Sequence, residues 1–347
     1  MKIHLALPFP PPNYGPSIYS INLRRSLEEL GHDVVITNTE INRITTNIGK
    51  LSLTKYLKVI IVSLNILFKN ISSHTFLNIN LSAQGIVRSF IYFLCASVSS
   101  KKIYIIFHEG NIENFYKNYN PFIRKMFIKI ISNSEKLLLL DEQQSESLKK
   151  YVEIDKLHVL GAYRNDLFNK ETVKKNIIVF YSNLIEDKGA RDAIEAFVGL
   201  EDRIKNNWEM VIAGNIKDPT FYNEIHSIYN SKVTFFTNKT YNEYLDLLNS
   251  SKVFIYPTKY KYEQQPAVII EALMNKLVIV SYDWAGTKNM LPENYSFLCK
   301  NNVPELKKAL TELINNTDIE FYMSKSRDFY LNNFAKTKFD KKLKNLF

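Results

Sequence analysis

Short apolar runs recur along the chain at near-regular intervals. "KIHLALP" (2–8), "DVVITN" (33–38), "TFLNIN" (75–80), "KIYIIFH" (102–108) and "KLLLLD" (136–141) fall in the first half. "NIIVFYS" (176–182), "EMVIAGN" (209–215), "VTFFTN" (233–238), "KVFIYPT" (252–258) and "LVIVSYD" (277–283) fall in the second. Each has strand length and is apolar at successive positions, so each reads as a strand buried on both faces. Between them lie stretches of helical period such as "IYSINLRRSLEELG" (18–31), where Gly31 is a natural stop. Doubly buried strands alternating with helices predict parallel sheets covered on both sides. Two such series predict an α/β chain of two Rossmann-like domains facing an interdomain cleft. The expected boundaries are 1–166 and 167–330, followed by a helical segment at 331–347 that packs back toward the first domain. The polar stretch 161–175, "GAYRNDLFNKETVKK", is the expected linker.

Composition agrees with this picture. A length of 347 residues suits about two domains, and 46% hydrophobic with 23% charged residues is ordinary for a globular chain. Cys95 and Cys299 are too few for a disulfide framework and lack metal-ligand spacing. The apolar start "MKIHLALPFPPP" is short and breaks into prolines, unlike a secretory leader. "VIIVSLNILF" (59–68) and "IVRSFIYFLCASV" (86–98) are shorter than the ~20 residues a membrane span needs. A cytoplasmic location is expected. The net charge of +10 is unevenly shared: residues 1–165 carry 20 Lys/Arg against 12 Asp/Glu, residues 166–347 carry 25 against 23. Such a basic half suits an anionic partner, whether nucleic acid, membrane surface or phosphate-bearing substrate, and equally a solvated basic surface.

In parallel sheets ligands bind beyond the carboxyl ends of the strands, so the loops there hold the candidate chemistry. The stretch "PTKYKYEQQPAVIIEALMNKLVIVS" (257–281) sets Glu263 in such a loop and Glu271 eight residues later. Pro266 fits the first turn of a helix over about 266–275. The amino end of that helix, with free N–H groups and partial positive charge, is suited to phosphate. Two carboxylates at its mouth can accept hydrogen bonds from sugar hydroxyls. By spacing alone, Glu271 reads equally as a surface residue of an amphipathic helix, and Glu263 as a solvated loop acid.

Between about Asn176 and Lys288 the chain resembles glycosyltransferase family 4, the retaining nucleotide-sugar transferases of the two-Rossmann GT-B fold. The residues that carry the resemblance are "YSNLIEDKGARDAIEAF" (181–197), "WEMVIAGN" (208–215), "VTFFTNKTYNEYLDLLNSSKVFIYPT" (233–258) and "EQQPAVIIEALMNKLVIVSYDWAG" (263–286). The opening "MKIHLALPFPPPNYGPSIYSINLRRSLEELGHDVVIT" is similar to that family's first strand, loop and helix. The resemblance implies an acceptor-side first domain and a donor-binding second domain. It implies that Glu271 grips the ribose of the donor, that Glu263 lies beside the donor sugar, and that Lys188 neutralises the donor diphosphate. It places His108 opposite the donor sugar and Gly15 in a loop that approaches phosphate or acceptor. Asn183, Gln265, Pro266 and Ala267 would complete the donor site, where the family commonly has Gly-Arg in place of Ser182-Asn183 and Glu-Gly-Phe-Gly in place of residues 263–266. These departures bear on donor affinity and identity more than on reaction class.

The implied activity is metal-independent, cofactor-free transfer of a sugar from a nucleotide-diphosphate sugar, with retained configuration. The implied acceptor is a glycan or lipid-linked glycan of a bacterial surface polysaccharide such as O-antigen or capsule. The alternatives are a nucleotide-sugar 2-epimerase of the same fold and a noncatalytic nucleotide- or sugar-binding protein. No nucleic-acid partner is expected. A further expectation is peripheral docking to an anionic membrane through the segment 118–136, with Phe122, Met126, Phe127 and Ile130 on one helix side and Arg124, Lys125 and Lys129 around the rest.

Overall fold

The computed structural model describes all residues except 41–52, 69–71, 111, 262, 285, 293–296 and 316–317. Two compact units divide the chain: Met1–Tyr163 with Phe339–Phe347, and Arg164–Lys338.

In the first unit the strands are β1 (Lys2–Leu7), β2 (Asp33–Asn38), β3 (Ser72–Ile79), β4 (Ser100–Phe107), β5 (Lys136–Leu139) and β6 (Leu157–Val159). They form one parallel sheet in the order β2-β1-β3-β4-β5-β6. The helices are α1 (Gly15–Glu29), α2 (Leu53–Phe68), α3 (Ala83–Ser99), α4 (Ile112–Asn118), α5 (Pro121–Ser132) and α6 (Glu142–Leu148), with α14 (Lys336–Lys344) near the chain's end. One core lies under α2, α3 and α5, built from residues such as Val62, Ile66, Phe93, Phe107 and Phe127. The other joins β1 and α1 to Tyr163 and to Phe339, Leu343 and Leu346. Helix α1 ends at Gly31, as the pattern predicts: His32 N–H reaches Leu27 O and Gly31 N–H reaches Glu28 O, with Gly31 at φ +81°.

The second unit repeats the plan. Its strands are β7 (Ile177–Tyr181), β8 (Glu209–Gly214), β9 (Thr234–Thr237), β10 (Val253–Tyr256), β11 (Val278–Tyr282) and β12 (Phe297–Cys299). They are all parallel, in the order β12-β11-β10-β7-β8-β9. The helices are α7 (Ala190–Val198), α8 (Asp202–Lys205), α9 (Pro219–Tyr229), α10 (Tyr241–Ser250), α11 (Ala267–Met274), α12 (Val303–Ile314) and α13 (Ile319–Asn333). Strands β7, β10 and β11 are buried along nearly their whole length, the mark of a sheet covered on both faces.

Two expectations need correction. Pro266 caps α11 from just outside, one position earlier than the first-turn place assigned to it. In α5 the inward face is Ile123, Phe127, Ile130 and Ile131, while Phe122 stands exposed. Arg124 is not a free docking charge either. Its Nε and Nη2 donate to the carbonyls of Tyr116 (3.2 Å) and Lys117 (2.7 Å), closing the end of α4.

Candidate functional site

The order of the second sheet reverses direction between β7 and β10, which lie side by side. The helices leaving these two strands diverge, and a crevice forms at the carboxyl end of such a switch point. Lys188 follows β7 and Glu263 follows β10. They meet as a salt bridge, both largely buried. Tyr256, the last residue of β10, donates its hydroxyl to Glu263 Oε2 at 2.9 Å, and Lys188 Nζ lies 3.4 Å from the same hydroxyl. The Lys188 ammonium also sits 4.4 Å from the centre of the Tyr260 ring, a cation–π distance. Burial, reinforced by the Glu263 carboxylate, holds the Tyr256 phenol well above its usual pKa, so it keeps its proton and serves as a fixed hydrogen-bond donor.

The two loops are held together by backbone. Lys259 N–H donates to Asp187 O at 2.8 Å. Gly189 has φ +85°, and a Cβ there would stand 2.1 Å from Pro257 O, so only glycine permits this approach. Gly189 and Pro266 cap α7 and α11, and neither helix has a side-chain cap, whereas α9, α10 and α12 are closed by Asp218, Thr240 and Asn302. Two uncapped amino ends and a lysine therefore belong to the loops of one switch point, an arrangement favourable to a multiply charged anion.

Glu271 lies one turn inside α11 and is buried. Its Oε1 accepts from Arg164 Nε and from the Tyr241 hydroxyl, both at 3.1 Å. Burial raises the pKa of this carboxyl, and the Arg164 charge and the two hydrogen bonds oppose the rise. Arg164 is itself fixed by α13: the buried Tyr330 donates its hydroxyl to Arg164 O at 2.8 Å. Tyr181, at the end of β7, lies 4.7 Å from the Tyr244 ring, and its phenol pKa is pushed up by burial and by Glu271. A carboxylate with one oxygen clamped can offer the other to a pair of hydroxyls.

The remaining sequence candidates are placed as follows. Asn183 is exposed in the loop after β7, Gln265 and Ala267 are half-buried, and Pro266 is buried at the mouth of α11. In the first unit His108 follows β4, half-buried, 4.8 Å from the Tyr19 ring in an edge contact. Its Nε2 is buried and has no hydrogen-bond partner among the described residues, and desolvation lowers its pKa to about 3, so the imidazole is neutral. Gly15 opens α1 exposed to solvent, and a Cβ there would meet no atom within 4 Å. The fold itself does not demand glycine at that position. Arg164, Tyr241, Tyr256 and Tyr260 escaped the sequence reading. Tyr256 lay in the quoted strand run 252–258 and Tyr260 in the quoted loop, but nothing in their spacing distinguished them.

Two six-stranded parallel sheets, each with helices on both faces, make up the two-domain α/β plan of the GT-B fold. Residues 164–329, almost the whole second unit, match the family model of the glycosyl transferases group 1. Among relatives, an uncharacterized glycosyltransferase of Methanocaldococcus jannaschii, MJ1069, is 24% identical over 256 residues, 68% of this chain and 64% of that one. The putative teichuronic acid biosynthesis glycosyltransferase TuaC of Bacillus subtilis is 23% identical over 238 residues, 65% of this chain and 57% of that one. The chain thus spans about three-fifths of the length of these curated relatives. Among solved structures, Anabaena Alr3699/HepE in complex with UDP and glucose superposes with a TM-score of 0.73 at 11% identity, covering 99% of this chain and 98% of that one. A glycosyltransferase from Rickettsia africae gives 0.74 at 16% identity, covering 99% and 97%. At these identities the structures speak for the fold.

Proposed function

We propose that the protein is a retaining, metal-independent glycosyltransferase that moves a sugar from a nucleotide-diphosphate sugar to an acceptor hydroxyl. The observation that supports this best is the convergence on one switch point of Lys188, Glu263 and the uncapped ends of α7 and α11. In transfer, the bond from the sugar's anomeric carbon to the diphosphate breaks and its electron pair leaves with the phosphate. The acceptor oxygen forms the new bond and gives up its proton to the departing phosphate oxygen. Lys188 exchanges Glu263 for the departing diphosphate, and the helix amides stabilise the charge that develops there. Glu263, released, lies beside the sugar, and Glu271 holds the ribose hydroxyls.

Because Alr3699/HepE was crystallised with UDP and with UDP-glucose, a UDP-sugar is the first donor to try. The likeness to TuaC favours a bacterial surface polysaccharide as the product, with a lipid-linked glycan as acceptor and a cytoplasmic site of action. A thermal-shift screen of UDP-, GDP- and dTDP-sugars tests the donor reading, since specific binding stabilises by RT ln(1 + [L]/Kd). The matching donor should raise the midpoint and be slowly hydrolysed to free sugar, with both effects lost in Glu271→Ala. An isomerised sugar would mean epimerisation, and binding without turnover would mean a noncatalytic binder. An inverted anomeric coupling constant in the product would refute retention.

A further inference from the structure

Helix α2 is apolar on two opposite sides, with Lys58, Ser63 and Asn65 between them, and only one of those sides is covered. Val62 and Ile66 point into the core, with Val59 packed against it. On the opposite side Tyr56, Leu57, Ile60, Ile61, Leu64 and Phe68 are each at least 49% exposed, Phe68 75%. At 100° per residue these six positions fall within one arc of about 140°. A soluble surface helix normally presents charged and polar residues there. Helix α3, which packs against α2, adds exposed Ile91, Leu94 and Val98 at the spacing of a single helix face. At sixteen residues α2 is too short to cross a bilayer, and no helix among the described residues is long and apolar enough to do so.

The stretch of sequence that carries α2 and α3 is one-sided in charge. From residue 41 to residue 108 the sequence contains no Asp or Glu, against eight Lys/Arg: Arg43, Lys50, Lys55, Lys58, Lys69, Arg88, Lys101 and Lys102. The rest of the first 165 residues is balanced, with twelve of each sign, so the entire positive excess of that half belongs to the segment that carries α2 and α3. A second copy of this chain would oppose like charge to like charge across such a face. An apolar interior behind a layer of negative headgroups complements both the side chains and the sign.

We propose that the outward face of α2, with the adjoining face of α3, is an in-plane docking surface for an anionic lipid bilayer. The apolar side chains enter the headgroup boundary and Lys58 and Arg88, both half-buried, reach up to the phosphates. This face belongs to the first unit and the proposed donor-site residues to the second, and its test needs no turnover, so it stands or falls independently of the proposed activity.

The test is flotation of the full chain with vesicles of phosphatidylcholine alone and of phosphatidylcholine mixed with phosphatidylglycerol. The protein should float with the mixed vesicles, float at least about tenfold less with the neutral ones, and lose part of its binding at 1 M salt, where the Debye length is only ~3 Å. The triple variant Ile61→Gln, Leu64→Gln, Phe68→Gln should keep its thermal midpoint, because all three side chains point outward, yet lose about tenfold or more of the binding at every salt concentration. A Phe68→Trp variant should be quenched by brominated lipid in the mixed vesicles. No flotation with mixed vesicles, equal flotation with neutral ones, or undiminished flotation of the triple variant overturns the proposal. So does a concentration-dependent dimer that the triple variant abolishes while vesicle binding is absent, since the face would then bind its own copy.

Discussion

Replacing Arg164 by Met would leave Glu271 inside α11 with a single polar partner, the Tyr241 hydroxyl. The pair is buried, with side-chain exposures of 13% for Arg164 and 5% for Glu271. Breaking a buried ion pair by deleting one partner costs about 3–5 kcal/mol if the other charge stays. The carboxyl has an escape, because it can take up a proton. From an ordinary value of 4.5, protonation at pH 7 costs about 3.4 kcal/mol, at 1.36 kcal/mol per unit, and at pH 5 about 0.7 kcal/mol. The loss in Arg164→Met therefore has a ceiling that falls with pH: about 3 kcal/mol at pH 7 and under about 1 kcal/mol at pH 5. Urea denaturation of wild type, Arg164→Met, Glu271→Gln and the double variant isolates the pairing energy from the lost packing of the arginine stem. In the Glu271→Gln background the arginine should contribute little at either pH. A coupling energy that is the same at both pH values, or that persists without the carboxylate, would refute the assignment of Arg164 as the group that keeps Glu271 ionised. Donor binding by Arg164→Met should also weaken as pH falls, since a protonated Glu271 accepts one hydrogen bond fewer.

Three further outcomes can be measured. Lys188→Ala should lower turnover at saturating donor by about 10²–10³-fold, roughly 2.7–4 kcal/mol by analogy with loss of one oxyanion donor, and near-normal turnover by the folded variant would exclude the lysine from the leaving-group site. His4 is fully buried, bonds Thr37 at 2.9 Å, and has its pKa lowered by burial from 6.5 to about 4. Below pH 6.5 the unfolded chain takes up a proton that the folded one refuses, so stability should fall by about 3 kcal/mol between pH 6.5 and 4 and then level off, and His4→Gln should remove that slope. Gly189→Ala should cost at least about 1–2 kcal/mol from left-handed backbone alone, plus the clash with Pro257 O; a neutral effect in denaturant titration would show that the two switch-point loops can part freely.

The sequence revealed the inner strands because each is apolar at successive positions, which only a sheet covered on both faces explains. It did not reveal β6 and β12, each three residues long and only half-buried throughout, since an edge strand has neither the length nor the continuous apolar run. At the site, Lys188, Glu263 and Glu271 stood out through a recognisable local pattern. Arg164 and Tyr241 lie 107 and 30 residues from Glu271, and no periodicity carries information over such separations. Tyr241, at the first position of α10, has the look of an ordinary surface aromatic. The run at 59–68 was legible as apolar and too short for a span, but hydropathy does not say which side of a helix finds a partner.

The chain passes from the first unit to the second after Tyr163 and returns after Lys338. The return brings Phe339, Leu343 and Leu346 into the core that holds Tyr19 and Tyr163. Neither a gene fragment ending at the first crossing nor one ending at the second encodes a complete first unit: each would expose the apolar bed those three side chains fill. The second unit, by contrast, is one uninterrupted stretch. Dissection by expression would thus be asymmetric, with residues 164–338 a candidate for independent production and the first unit obtainable only if residues 339–347 are joined back to it by a linker or supplied as a peptide.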